Sequence, residues 1–177
     1  MKWQQKEKLD WEEQFLRMKR WFYRIRDKVD NDKEDFYLAF FECCHHFKNW
    51  IINDGVATNK EVEAYIEKHD ALKLCADICT FSKHAEVIRA PRTGDPQTAF
   101  IGKKVLVNPF GPEVSYLESI LQVKSNGNDY YDAFEIVIKC MDAWGDFLIS
   151  KKVAIPEMPG EDIYKNFKKW EPQTPLK

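Results

Sequence analysis

Residues 36–50, FYLAFFECCHHFKNW, decide the fold because their large apolar side chains recur at the period of a helix. One side of this predicted helix carries residues at alternating spacings of four and three: Phe36, Phe40, Cys43, Phe47 and Trp50. Leu38, Phe41 and His45 lie on the opposite side and leave only a narrow polar strip. A helix that is apolar on two sides is buried between neighbours. The sequence therefore predicts a helical bundle with this segment near its centre.

Four further segments have a helical period. A first helix from Trp11 carries a stripe of Phe15, Met18, Phe22, Ile25 and Val29. Thr58 followed by Glu61 is typical of a capping box and begins a short third helix. Asp70 is expected to cap a fourth helix, which is again apolar on two sides, and a last long helix begins after Asp132.

Between the fourth and the last helix, residues 85–125 are rich in β-branched residues and turn formers. This composition predicts an inserted antiparallel sheet of three or four short strands. We expect the strands at Glu86–Ala90, Ala99–Ile101, Lys104–Asn108 and Tyr116–Lys124.

The fold class that follows is mainly α, with a small antiparallel β insertion in a bundle of four to five helices. We expect a single domain, 1–177, in which residues 3–84 and 131–152 form the bundle and residues 85–125 the insertion. The proline-containing residues 153–177 are expected to form an extended C-terminal tail, because proline interrupts helices.

Composition limits the classes of function. The chain of 177 residues has a net charge of -2, so binding of nucleic acid would need a local basic patch. No apolar run approaches the roughly 18 residues that span a bilayer, and the polar start MKWQQKEKLDWEEQ does not resemble a signal peptide. We therefore expect a cytoplasmic protein with no membrane partner.

The chain contains five cysteines, an odd number, and all lie in helical patterns: Cys43, Cys44, Cys75, Cys79 and Cys140. This usage predicts free, buried thiols in a reducing compartment. Cys75 and Cys79 are one helical turn apart and could share a metal with Cys43 or Cys44. Helical cysteines are more often small core residues, and we predict no metal site and no cofactor.

The most unusual polar residue is Asp77, which interrupts an apolar helix. Thr80 and His84 follow it at i+3 and i+7 and share its side of the helix. Together with Lys83, and with His45 from the second helix, they could form a buried cluster for acid–base chemistry. Alternatively, Asp77 accepts hydrogen bonds from a neighbouring helix or loop, and His84 caps the end of its own helix.

Two sets of arginines could bind anions. Arg89 and Arg92 lie close in sequence to His84 and, with His45, are candidates for ligand binding. Charged residues on a hairpin edge also prevent unwanted strand pairing without any ligand. The second set lies on the first helix, where Arg17, Arg20 and Arg24 form a basic stripe. Glu13 is placed to pair with Arg17, which favours a solvated helix face.

Three segments carry a resemblance to known proteins: FFECCHHFKNWI at 40–51, LCADICTFSKHAEV at 74–87 and AFEIVIKCMDAWGDFL at 133–148. Together they resemble uncharacterised small bacterial and phage helical-bundle proteins, with a histidine-bearing second helix and a helix that ends in Ser-Lys-His. The arrangement is more distantly similar to HEPN-type bundles, many of which are ribonucleases or toxin and defence components that act as dimers. The HEPN nuclease motif, an arginine four to six residues before a histidine, does not occur in this chain.

These observations favour a binding or interaction protein. The ligand is expected to be nucleic acid or a small anion, and the resemblance implies a homodimer and a defence or toxin role. The alternative is a nuclease or another enzyme that acts on phosphodiesters. In that alternative His84 is the acid–base group, Lys83 or Arg92 stabilises the phosphate charge, and Asp77 orients the imidazole.

Overall fold

The computed structural model describes residues 10–27, 33–83, 90–94, 99–107, 116–125 and 129–158. The helices are α1 Trp11–Asp27, α2 Lys33–Asn53, α3 Asn59–Glu67, α4 Asp70–Lys83 and α5 Ala133–Ser150. The strands are β1 Ala99–Val107, β2 Tyr116–Ser125 and β3 Asp129–Asp132. The predicted mainly α fold with a small antiparallel sheet is confirmed. Within the described residues, no helix is both long enough and apolar enough to cross a membrane.

Local sequence signals set several helix ends. The predicted capping box is present at α3, where the backbone N–H of Thr58 donates to the Glu61 carboxylate at 2.8 Å. Asp132 caps α5 by accepting the backbone N–H of Glu135 at 2.9 Å. The expected cap at Asp70 differs by one position, because Asp70 is already the first residue of α4. Its carboxylate instead pairs with Lys73 at 2.7 Å.

The sheet is an antiparallel meander in the order β1-β2-β3. We predicted two strands between residues 99 and 108, but a single strand runs through Gly102, which pairs with Leu121. The sheet also extends past residue 125, because β3 pairs with the end of β2 and leads directly into α5. The bundle segment thus begins after Asp132 and not at residue 131. Most of the strand expected at Glu86–Ala90 lies outside the described residues, and Ala90 itself is not in a strand.

The core confirms that α2 and α4 are buried on two sides. The α2 packs against all four other helices, and its buried residues are Tyr37, Phe40, Phe41, Cys44, Phe47 and Ile51. Phe36, Cys43 and Trp50, which we placed on the main stripe, are only half-buried. The buried face is therefore rotated towards Cys44, because α4 and α5 cover that side. In α4 a continuous run from Leu74 to Cys79 is buried.

Sheet and tail both contact this core. Val123 of β2 is buried, and β2 and β3 lie against α5. The described part of the tail, 153–158, contains no helix, and its residues Val153 and Ile155 pack on the core. Lys19 of α1 donates to the backbone oxygen of Pro156 at 2.7 Å. The start of the predicted extended tail is thus held against the first helix.

Candidate functional site

The carboxylate of Asp77 anchors the loop 90–94 to α4. Asp77 is only 4 % exposed. Its Oδ1 accepts the backbone N–H of Arg92 at 2.7 Å. Its Oδ2 accepts both the backbone N–H of Thr93 at 2.9 Å and the Thr93 hydroxyl at 2.7 Å. A buried carboxylate needs such donors, so both of its oxygens are engaged in holding residues 92 and 93.

A cavity of about 150 Å³ lies beside this anchor. His45 and Lys48 of α2 line it from one side, Asp77 and Thr80 of α4 from another, and Arg92 from the loop. The His45 side of α2 therefore does meet the Asp77 side of α4, as the clustering of these residues required. The cavity gathers an imidazole, an ammonium and a guanidinium around one space.

Two of these cations converge on one carboxylate of α3. Glu63 accepts a hydrogen bond from Lys48 at 2.9 Å through Oε1 and from Arg92 at 2.6 Å through Oε2. The other Arg92 nitrogen pairs with Glu67 at 2.9 Å. Burial raises the pKa of Glu63, but the hydrogen bonds from Lys48 and Arg92 outweigh it and lower that pKa. Glu63 is therefore held as a carboxylate between two cations.

Three of the predicted site residues cannot be placed in the cavity. His84 and Arg89 lie outside the described residues. Lys83 is the last residue of α4, and its backbone alone is described. The hypothesis that His84, Lys83 and Asp77 form one catalytic group therefore stays a prediction.

The structure brings the other three predicted residues, His45, Asp77 and Arg92, to the wall of one cavity. Lys48, which lines the cavity, and Glu63, which pairs with it, were not predicted from the sequence. Lys48 had a signal, since it follows His45 at i+3 and shares its side of the helix. Glu63 had none, because nothing in its neighbourhood shows that α3 lies beside the loop 90–94.

Two arginines of the basic stripe on α1 have partners on their own helix. Glu13 pairs with Arg20 at 2.6 Å, one turn further along than the Arg17 that we expected. The Arg24 guanidinium lies 4.5 Å from the centre of the Trp21 ring. These contacts are typical of a solvated helix face.

A second cavity, of about 240 Å³, lies between α4, α5 and β3. Its cations are also paired, Lys73 with Asp70 and Lys139 with Glu135, each at 2.7 Å. Thr93 contributes to its wall. The loop that Asp77 holds therefore lines both cavities.

Three thiols meet in the core, and none of them belongs to the residues that line either cavity. The Sγ atoms of Cys44, Cys75 and Cys140 all lie within 4.8 Å of one another. Cys79, one helical turn from Cys75, is buried but outside this group. All five cysteines are free, and four of them are buried, as predicted, while Cys43 is half-buried.

Burial and mutual hydrogen bonds set the pKa values of these thiols. Burial raises the pKa of Cys75 and of Cys140 well above the usual value, and hydrogen bonds with Cys44 raise both further. Burial also raises the pKa of Cys44, but the neighbouring thiols of Cys140 and Cys75 and the nearby Trp144 indole outweigh it and lower that pKa.

The fold and the site define a mainly α protein in which two helices, α2 and α4, and one anchored loop line a small cavity that has three basic residues in its wall. No protein-family model, no curated protein and no solved structure matches this chain. What the protein does must therefore be inferred from its own residues.

Proposed function

We propose that this protein is a cytoplasmic binding protein whose cavity between α2, α4 and the loop 90–94 takes a small anion. One observation carries the proposal: Lys48 and Arg92 contact the two oxygens of a single carboxylate, Glu63, beside the cavity. Two cations that converge in this way match the geometry of a bound carboxylate or phosphate. His45, at the same cavity, adds an imidazole that can hydrogen-bond to an anion.

Glu63 occupies the position that a ligand anion would take. Lys48 and Arg92 carry two positive charges, and Glu63 and Glu67 carry two negative ones, so the group as a whole is neutral. An incoming anion must displace the Glu63 carboxylate from at least one cation. We therefore expect weak binding in the native protein and tighter binding once the charge of Glu63 is removed.

The engagement of Asp77 supports binding rather than catalysis. In the nuclease alternative, Asp77 orients the imidazole of His84. Both oxygens of Asp77 already accept hydrogen bonds from Arg92 and Thr93. A carboxylate committed to a loop has little capacity left to orient a catalytic base. The HEPN-like assignment, with its homodimer, nucleic-acid partner and defence or toxin role, stays a prediction of the resemblance.

Titration of inorganic phosphate, followed by calorimetry and by amide NMR shifts around Arg92, tests the proposal. We expect Glu63→Gln to tighten phosphate binding about tenfold, the equivalent of about 1.4 kcal/mol. The double variant Lys48→Met with Arg92→Met should abolish it. Glu61→Gln is the matched control, because Glu61 lies on the same helix but pairs with Lys151, which does not line the cavity.

Two outcomes would contradict the proposal. One is phosphate binding that is equally strong in native protein and in Glu63→Gln. The other is cleavage of RNA by the native protein that is lost in His84→Ala while the melting temperature is unchanged, which would favour the nuclease. Intact RNA together with tighter phosphate binding by Glu63→Gln would support the binding function.

A further inference from the structure

Three helices each contribute one cysteine to a single point in the core. Cys44 comes from α2, Cys75 from α4 and Cys140 from α5, and they are 1 %, 1 % and 0 % exposed. The Cys75 thiol donates to the backbone oxygen of Phe41 and the Cys140 thiol to that of Ala71, each at 3.3 Å. The backbone thus fixes two of the sulfurs where they face the third.

A buried donor without an acceptor lies beside these sulfurs. Trp144 is 1 % exposed, and within the part of the chain that the structure describes its indole Nε1 has no partner at hydrogen-bonding geometry. The indole N–H is nevertheless close enough to Cys44 to favour the thiolate of that residue. Buried donors are rarely left unpaired, so the site calls for a stronger acceptor at the Cys44 sulfur. A metal-bound thiolate is such an acceptor.

We propose that Cys44, Cys75 and Cys140 bind one soft, monovalent metal ion through three sulfurs, and that copper(I) is the ion that fits best. Thiolate ligands select soft ions such as copper(I). Metal–sulfur bonds of roughly 2.3 Å place the sulfurs of a planar three-coordinate site about 4.0 Å apart. Because the three sulfurs already lie within 4.8 Å of one another, each pair has less than about an ångström to close.

The ligand count favours copper(I) over zinc. Among the described residues, no histidine, aspartate, glutamate or further cysteine joins the three sulfurs. Structural zinc sites take four protein ligands, and catalytic zinc sites take three and a water. The three cysteines are closed to solvent, so a water ligand has no open route to the site. A three-coordinate ion needs no fourth ligand.

Metal binding is coupled to the loss of protons from the cysteines. The thiolate and not the thiol is the metal ligand, so each sulfur that binds copper(I) releases its proton to solvent.

The test is anaerobic competition for copper(I) between the full-length chain and a chromophoric copper(I) chelator, together with X-ray absorption at the copper edge. We expect one copper(I) per chain, bound by three sulfurs. Loss of a sulfur in Cys140→Ala should weaken binding by more than the roughly 100-fold that loss of a supporting residue can cost. Trp144→Phe should weaken it by about tenfold, since it removes only the N–H donor.

Cys79→Ala is the matched control, because Cys79 is equally buried on α4 but lies outside the cluster. It should bind copper(I) as the native protein does. A melting curve of each variant without copper identifies any that fails to fold, and the copper-induced rise in melting temperature must then be lost in Cys75→Ser as well. Equal losses in Cys79→Ala and Cys140→Ala, tighter binding of zinc than of copper(I), or a copper signal without three sulfurs would each overturn the proposal.

Discussion

Two carboxylates in this molecule accept the same number of hydrogen bonds in opposite surroundings. Asp77 on α4 accepts two backbone N–H groups and a hydroxyl while only 4 % exposed. Glu61 on α3 accepts the Thr58 backbone N–H, the Thr58 hydroxyl and the Lys151 ammonium, and its side chain is 48 % exposed. The comparison teaches that hydrogen-bond number does not measure importance. When the buried acceptor is lost, its donors have neither a protein acceptor nor ready access to water. When the exposed acceptor is lost, its donors can bond to water instead.

The largest expected effect is that of Asp77→Ala. This change leaves the backbone N–H groups of Arg92 and Thr93 without an acceptor, and we expect it to lower the free energy of unfolding by about 3 kcal/mol. Urea denaturation of the full chain measures the loss. Asp35→Ala, on the exposed side of α2, is the control and should change stability by less than about 0.5 kcal/mol. Equal losses in the free energy of unfolding of the two variants would contradict the claim that buried Asp77 anchors the loop 90–94.

A smaller effect is expected from Thr58→Ala at the exposed end of α3. The Thr58 hydroxyl accepts the backbone N–H of Glu61 as one half of the capping box, and its removal should cost about 1 kcal/mol. Urea denaturation under the same conditions measures this loss in the free energy of unfolding, so that it can be compared with the loss in Asp77→Ala. A cost as large as that of the buried carboxylate would remove the contrast between the two regions.

The smallest effect is the pH dependence contributed by Glu61. Hydrogen bonds from Lys151 and then from Thr58 lower the pKa of Glu61 from 4.5 to about 2. Because the folded-state pKa is depressed, the stabilisation is complete above pH 4.5 and is lost as the pH falls towards 2. An NMR titration of the Glu61 carboxyl carbon should show a midpoint near 2. A midpoint near 4.5 would show that these contacts do not persist in solution.

The two carboxylates also show which hydrogen-bond partners can be predicted from the sequence alone and which cannot. The Thr58–Glu61 capping box was predictable because both partners lie within one turn of helix. The partners of Asp77 lie 15 and 16 positions along the chain, in a loop whose path depends on how the helices pack. Residue spacing showed that Asp77 needed donors, but it could not show which ones.

The same distinction applies to the rest of the fold and site. Helical periodicity located all five helices, because it reflects one face packed on a core. The sequence did not predict that one strand continues through Gly102. A glycine usually indicates the end of a strand, and only its pairing with Leu121 shows that the strand goes on. Cys44, Cys75 and Cys140 come from three different helices, so their meeting depends on tertiary packing. The one-turn spacing of Cys75 and Cys79 could not show which sulfurs meet.

Amide hydrogen exchange at Arg92 and Thr93 tests the central claim most directly, because these two N–H groups are the ones that Asp77 accepts. Both amides should be protected in the native protein and should exchange much faster in Asp77→Ala, measured where that variant is still folded. Exchange of both amides at the rate of an unstructured peptide in the native protein would show that Asp77 does not hold the loop.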